Sequence, residues 1–424
     1  MDQIRPKSKE MRVNRRDILK MSGTAGIAGL AGCLGGNDED GDGGQIDVGL
    51  LADRTGGLAS AGIPMYNVAQ LWEEQINENG GLLDREINLI APDPQSENQQ
   101  YQNQARDLIL DDQVDVLVGG ITSASREAFR PVVDDNQQLY FYPTQYEGGI
   151  CDSYTFVTAP TATQQLRPLV DYMMENVGTD AYFMSADYNF GQISADWARI
   201  YVEEAGGTVV GEEFIPLSTS DFESTINRIE GEDPDWLLSL TVGANHIAFY
   251  EQAESQGFDL PMASTTAIGA TYEHRTESSP TMADVYGAWN YLEEFDNEEN
   301  IQFREDVYDM FSDNPYINQM AIGTYQSLLL YEEAVRQTET TDMETVANVL
   351  QDELSVMTPQ GEITVDPNSQ HVTHDVTVTR VTEEHEIEML ETQEGLEPTW
   401  LQDNCNLPEH SWDDPRTELL TPDN

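Results

Sequence analysis

From Gln45 onward, short apolar runs alternate with amphipathic stretches, and no other feature constrains the fold of this chain as tightly. Ile46 to Leu51 (IDVGLL) reads as a strand, and Met65, Val68, Ala69, Trp72 and Ile76 then fall at helical spacing. Strands are predicted at 86–90, 114–118 and 139–142, with helices over 101–110 and 125–133. The rhythm repeats, with strands at 181–185, 209–214, 236–240 and 261–264 and helices at 193–205, 222–229 and 245–256. Alternating β and α units demand parallel sheets covered on both faces. Two successive sets of about 120 residues give two lobes, each a doubly wound, Rossmann-like α/β sheet. Helices are predicted next at 301–311, 316–336 and 343–350. The end changes character: 361–365 and 372–381 alternate like antiparallel strands, and the stretch from about Thr392 reads as loop. In open α/β sheets, ligands sit beyond the carboxyl ends of the strands. Two facing lobes set two such edges around one cleft, as in a clamshell.

Charge narrows the partners. The 424 residues hold 20 Lys and Arg against 78 Asp and Glu, a formal net charge of −58. A hydrophobic content of 39% supplies real cores, so the acidity is not a sign of disorder. Nucleic acid is excluded as a partner, because phosphate binding needs clustered Lys and Arg. An anionic lipid surface is disfavoured for the same reason. All three lysines, Lys7, Lys9 and Lys20, lie in the first 20 residues. The first 32 residues carry seven basic groups against three acidic ones, a net +4. The remainder keeps 13 arginines against 75 carboxylates, a net −62. Such a body repels itself in ordinary salt. At molar salt the Debye length falls to about 3 Å and the penalty largely vanishes. The distribution reads as adaptation to brine, since the acid is spread along the whole chain and not gathered on one binding face.

Asn14-Arg15-Arg16-Asp17-Ile18-Leu19-Lys20 precedes a short, weakly apolar stretch of small residues that ends at Cys33. This is a secretory leader, too short to span a bilayer. Its arginine pair, with Leu19 and Lys20, resembles a twin-arginine signal. Leu30-Ala31-Gly32-Cys33 resembles a lipobox, in which Cys33 becomes the lipidated first residue; cleavage without lipid is the alternative. The eleven residues of 34–44 (LGGNDEDGDGG) are apolar-poor and span roughly 18 Å root-mean-square. The expected organisation is a signal peptide over 1–32, a flexible acidic tether over 33–44, and a folded body held at the outer face of the membrane by lipid alone. Cys151 and Cys405 are the remaining cysteines. Outside the cell such a pair can form a disulfide; two buried thiols are the alternative.

Catalytic signals are poor. The sequence has no HExxH, GxSxG, Walker loop or dinucleotide fingerprint, so no enzyme, metal or cofactor is expected. His371 and His374, three apart in an alternating region, face opposite sides of a strand. The strand-end loops are richer. Gly119 to Ser125 (GGITSAS) closes one strand and opens a helix, combining hydroxyls with free N–H donors; simple capping is the alternative. Tyr142 to Gly148 (YPTQYEG) brings two phenols, the Thr144 hydroxyl, the Gln145 amide and the Glu147 carboxylate. Asp187-Tyr188-Asn189-Phe190 and Thr265-Thr266 close strands of the second set. These loops hold neutral donors, acceptors and aromatic walls, and no arginine except Arg126 just beyond the first.

At these residues the chain resembles a known family. YPTQYEG, with Cys151 three residues on, is similar to a segment of urea and short-chain-amide receptors. Those are substrate-binding proteins of ABC transporters, in the class of the branched-chain amino-acid receptors; the amide-sensing regulator of amidase expression belongs to the same class. GGITSASRE (119–127), SADYNF (185–190) and GGTVVGEEFIPLSTSDF (206–222) also match, and the resemblance runs from about Gln45 to about Trp400. It implies a type I periplasmic-binding-protein clamshell with three hinge crossings, placed near Pro160, Trp289–Tyr291 and Met357–Pro359. The first lobe is then 45–160 with 290–357, the second 161–289 with 358–400, and 401–424 a tail. The implied ligand contacts are Ser123, Tyr142, Thr144, Tyr188 and Thr266, with Ile121 and Phe190 as walls and Gln145 and Glu147 beside them. The implied partners are a small neutral ligand, urea or an amide, and ABC permease subunits. The chain departs from the amide sensor at Ile121 and Phe190, where that protein carries aromatic residues including a phenol, and the departure bears on ligand size and polarity. Urea needs several acceptors, a few donors and no excess charge, which suits hydroxyls better than buried ions that cost several kcal/mol each to desolvate. Two other readings stay open: a branched-chain or other amino-acid receptor, with Glu147 facing the ammonium, and an amide sensor without transport. A secreted amidase lacks a nucleophile constellation.

Overall fold

Strand β1 (Ile46–Leu51) is buried along almost its whole length, as a strand covered on both faces must be. Around it the computed structural model, which describes residues 44–422, builds two α/β sheets. The leader, the tether and Cys33 lie outside the described residues. After β1 come α1 (Ala59–Glu78), β2 (Ile87–Ile90), α2 (Asn98–Asp107), β3 (Val116–Gly119), α3 (Ser123–Asn136), β4 (Tyr140–Tyr142), β5 (Ile150–Asp152) and β6 (Thr155–Val157). The first sheet has the order β2-β1-β3-β4-β6 and is parallel throughout.

The second set runs α4 (Leu166–Asn176), β7 (Asp180–Ala186), α5 (Asn189–Glu204), β8 (Thr208–Ile215), α6 (Glu223–Glu232), β9 (Trp236–Leu240), α7 (Ala244–Gln256), β10 (Met262–Ala263), α8 (Glu273–Thr276) and β11 (Val285–Trp289). The chain then returns to the first lobe as α9 (Glu298–Met310), α10 (Gln319–Thr338), α11 (Met343–Gln351) and the hairpin β12 (Ser355–Thr358)–β13 (Gly361–Thr364). Helix α10 packs on α1, β3 and β4. Finally β14 (His374–Val381) and β15 (Ile387–Leu396) add an antiparallel edge to the second sheet, giving β15-β14-β11-β10-β9-β7-β8. The parallel part of each sheet has the same doubly wound order, reversing between β1 and β3 and between β7 and β9. That reversal opens a crevice at the strand ends.

The chain therefore passes between the lobes three times, after β6, after β11 and between β13 and β14. Side-chain amides tie the passages together. Gln165 Nε2 donates to Ala288 O at 2.6 Å, Asn290 Nδ2 to Gln360 Oε1 at 2.7 Å, and Gln164 Nε2 to Val372 O at 2.9 Å.

Several parts differ from the sequence expectation: strands β5, β6 and β12 were not anticipated, and the third crossing lies between β13 and β14, beyond the expected Met357–Pro359. Helix α4 was not anticipated, because Pro168 interrupts its Leu166, Leu169, Val170, Met173 stripe; in the first turn proline is tolerated. Strand β15 occupies part of the stretch expected as loop. Its residues are mostly exposed, so no alternation marks it, and the ladder to β14 holds it. The tail is also structured: α12 (Thr399–Asn404) precedes β16 (Thr417–Leu419), which pairs antiparallel with β5. Cys151 and Cys405 are joined as a disulfide, with Cα atoms 5.5 Å apart. Trp400 meanwhile packs edge-on against Trp197 of α5, ring centroids 5.1 Å apart, so the tail touches both lobes.

Candidate ligand-binding cleft

The carboxyl ends of β1, β3 and β4 face those of β7, β9 and β10 across a cavity of about 340 Å³. Its shape starts from backbone. Gly119 (φ +126°) and Gly120 (φ +92°) turn the chain out of β3, and a Cβ on Gly119 would lie 2.3 Å from Leu51 O. Only glycine allows that approach. Thr122 then caps α3: Ser125 N donates to its Oγ1 at 2.9 Å, while its own N–H donates to Ser125 Oγ at 3.1 Å. The capping that stood as the alternative reading of GGITSAS is thus present, and it aims the next residue, Ser123, at the cleft. Thr144 donates to Gly120 O at 2.8 Å, which fixes the loop after β4 to the loop after β3.

Beneath this wall lies a buried ion pair. Arg126 and Glu147 both have fully buried side chains, with Nη2 3.0 Å from Oε1. The Arg126 guanidinium sits between the rings of Tyr142 and Tyr146, 4.9 and 4.8 Å from their centroids. Burial alone would lower its pKa, but Glu147, Tyr142 and Glu127 beside it raise it well above its ordinary value, so it stays charged. Glu147 Oε2 accepts the Ser123 hydroxyl proton at 2.5 Å, and Asn189 Nδ2 of the second lobe reaches Oε1 at 3.5 Å. Tyr146 donates to His371 Nε2 at 2.6 Å, and His371 Nδ1 donates to Ser369 O at 2.8 Å. Burial pushes His371 down to about 4, so it is neutral near pH 7.

Of the residues expected in the site, Ile121, Ser123, Thr144, Gln145, Tyr188, Phe190 and Thr266 line the cavity. Tyr142 and Glu147 do not; both are buried under the wall. Gln145 crosses the cleft, its Nε2 donating to Thr265 O at 3.4 Å, while its Oε1 has no partner. His371 and His374 are packed into the hinge side of the molecule, His374 with Nδ1 3.1 Å from Gln360 Nε2. Sequence reasoning missed Leu58, Val242, Thr271, Tyr272, Glu273, Glu277 and Met320, which also belong to the lining. A loop length signal was present: 264–284 is long for an α/β connection and carries only the short α8.

The family model for periplasmic binding proteins matches residues 45–386, and the chain belongs to that family. Its members are solute-binding proteins, not enzymes. A Leu/Ile/Val-binding protein, BraC3 of Rhizobium johnstonii, is 24% identical over 325 residues, 76% of this chain and 87% of that protein. A solute-binding protein of Rhodopseudomonas palustris in complex with 3,4-dihydroxybenzoic acid superposes with a TM-score of 0.74 at 20% identity, over 85% of this chain and all of that one. The Streptococcus pneumoniae protein LivJ, in complex with isoleucine, gives 0.71 at 16% identity, over 82% and 99%. At such identities the likeness is one of fold.

Proposed function

We propose that this chain is the solute-binding component of an ABC importer and captures urea or a short-chain aliphatic amide between its lobes. The observation that carries the reading is where the hydroxyl protons go. Ser123 donates to Glu147, Thr144 to Gly120 O, and Thr271 its single proton to Thr266 O or Glu273. Each hydroxyl then presents lone pairs to the cavity, and the unpartnered Gln145 Oε1 adds another acceptor. Such a wall asks for a ligand rich in N–H. Among the described residues the lining has no arginine, lysine or histidine to meet a carboxylate, while Glu273 and Glu277 repel one. The ligand carbonyl has the uncapped N–H groups of Ser123 and Ala124 at the start of α3 and the Tyr188 phenol as donors. A cavity of about 340 Å³ also holds ordered water beside so small a solute, at roughly 30 Å³ per molecule.

The amino-acid reading changes form. Glu147 is neutralised by Arg126 beneath the wall, so an ammonium would have to meet Glu273 instead. The leader completes the proposal: twin-arginine export, a lipid on Cys33 and a tether would hold the receptor outside the cell in brine. Thermal-shift measurements in molar KCl with urea, acetamide, formamide, leucine and 4-hydroxybenzoate test it. Stabilisation by urea or an amide and not by leucine or the benzoate is expected. Stabilisation by leucine alone would overturn it.

A further inference from the structure

We infer that, among planar N–H donors, the cleft prefers those carrying a positive charge, guanidinium and amidinium ions, and that Glu273 is the residue that selects them. This rests on the reading of the cavity as acceptor-rich and names the charge of its ligand. Glu273 lines the cavity at 2% exposure. Its Oε2 accepts the Ile268 N–H at 3.0 Å and its Oε1 accepts the Thr271 hydroxyl. Neither bond comes from a cationic group. Among the described residues no arginine forms an ion pair with it; its one basic neighbour is His246, with Nε2 3.8 Å from Oε1. His246 Nδ1 lies 2.9 Å from Thr241 O, which can only accept, so the ring proton of the neutral form sits on Nδ1. His246 Nε2 is itself buried without a hydrogen-bond partner.

Glu147 shows the contrast. It is as deeply buried, and the chain supplies it with Arg126. A buried carboxylate left without a cation is costly, and a ligand that brings the cation removes that cost. Guanidinium brings six N–H donors and no acceptor, which suits the lone pairs of Ser123, Thr144 and Gln145 and leaves the α3 N–H groups and the Tyr188 phenol to water. Glu277 adds a second negative charge to the lining. Tyr188, Phe190 and Tyr272 offer ring faces to a flat cation.

Urea and guanidinium have nearly the same shape, so comparing them isolates charge. Calorimetric titration of the exported protein in molar KCl, with guanidinium, acetamidinium, urea and acetamide at millimolar concentration, tests the proposal. Guanidinium is expected to bind about tenfold more tightly than urea, and acetamidinium than acetamide. Glu273→Gln, which keeps an acceptor for the Ile268 N–H and turns the other oxygen into an amide donor, should remove that preference. Urea binding as tightly as guanidinium overturns the inference and leaves the amide reading standing; this ranking in the unaltered protein decides even if the variant does not fold. An equal loss of both ligands in Glu273→Gln assigns the residue a structural role and also overturns it. Binding of none of the four overturns inference and reading together.

Discussion

Replacing Glu147 by glutamine tests the architecture of the cleft wall. The carboxylate is fully buried against a fully buried guanidinium, and removing one member of such a pair typically costs 3–5 kcal/mol, roughly. Arg126 keeps a second partner: its Nε lies 2.9 Å from Glu127 Oε1, whose side chain is 27% exposed. That residual pairing puts the expected loss at the lower end, about 3 kcal/mol. A second effect follows at the cavity surface. Ser123 loses the charged acceptor of its proton, so its hydroxyl no longer presents only lone pairs to the ligand. One hydrogen bond to an N–H ligand is worth about 1 kcal/mol net, so affinity should fall roughly fivefold. Differential scanning calorimetry in molar KCl reads the first effect and isothermal titration the second. Heat is the right denaturant, since urea is itself a proposed ligand. Glu147→Asp keeps the charge and should fall between the two proteins. If Glu147→Gln unfolds within about 0.5 kcal/mol of the parent, as an exposed substitution would, the pair is not holding the wall and the reasoning fails.

Cys405→Ser should destabilise by about 5 kcal/mol, since the bridge closes residues separated by 254 positions, and hydrogen exchange should show β16 leaving β5; an unchanged melt with a protected tail contradicts this. Acid should destabilise through His371. Burial holds it near 4 when folded against 6.5 when unfolded, so the unfolded chain binds more protons between those values and stability falls as pH drops through that window. At pH 5 the loss is about 2 kcal/mol, from 1.5 pH units at about 1.36 kcal/mol each, and His371→Gln should show a correspondingly flatter profile. Stability should also rise steadily with KCl from about 0.15 M to molar, as the Debye length shortens from about 8 to about 3 Å around a chain of net charge −58; a melt independent of salt would contradict the brine reading.

The parallel strands were legible because they are buried on both faces and read as apolar runs; β3 and β9 are buried at every position. Strand β15 was not, because an exposed edge rich in glutamate follows no apolar alternation. In the cleft, the loop chemistry of GGITSAS and YPTQYEG pointed to the right turns. It did not say which side chains pass through the wall. Thr144 reaches the cavity, while Tyr142 and Glu147 turn beneath it to hold Arg126. That choice is made by packing around a guanidinium contributed from α3. Glu273 was invisible for a different reason. It stands on a four-residue helix without periodicity, in a chain with 78 acidic residues, where one more glutamate carries no signal until its burial is known.

Titrating urea into the parent protein and into Ser123→Ala, in molar KCl, tests the central claim that the cleft binds N–H donors through hydroxyl lone pairs. A saturable one-to-one heat in the parent, weakened about tenfold in Ser123→Ala, is the predicted result. Saturable binding of leucine, with no heat from urea or any amide, would contradict it.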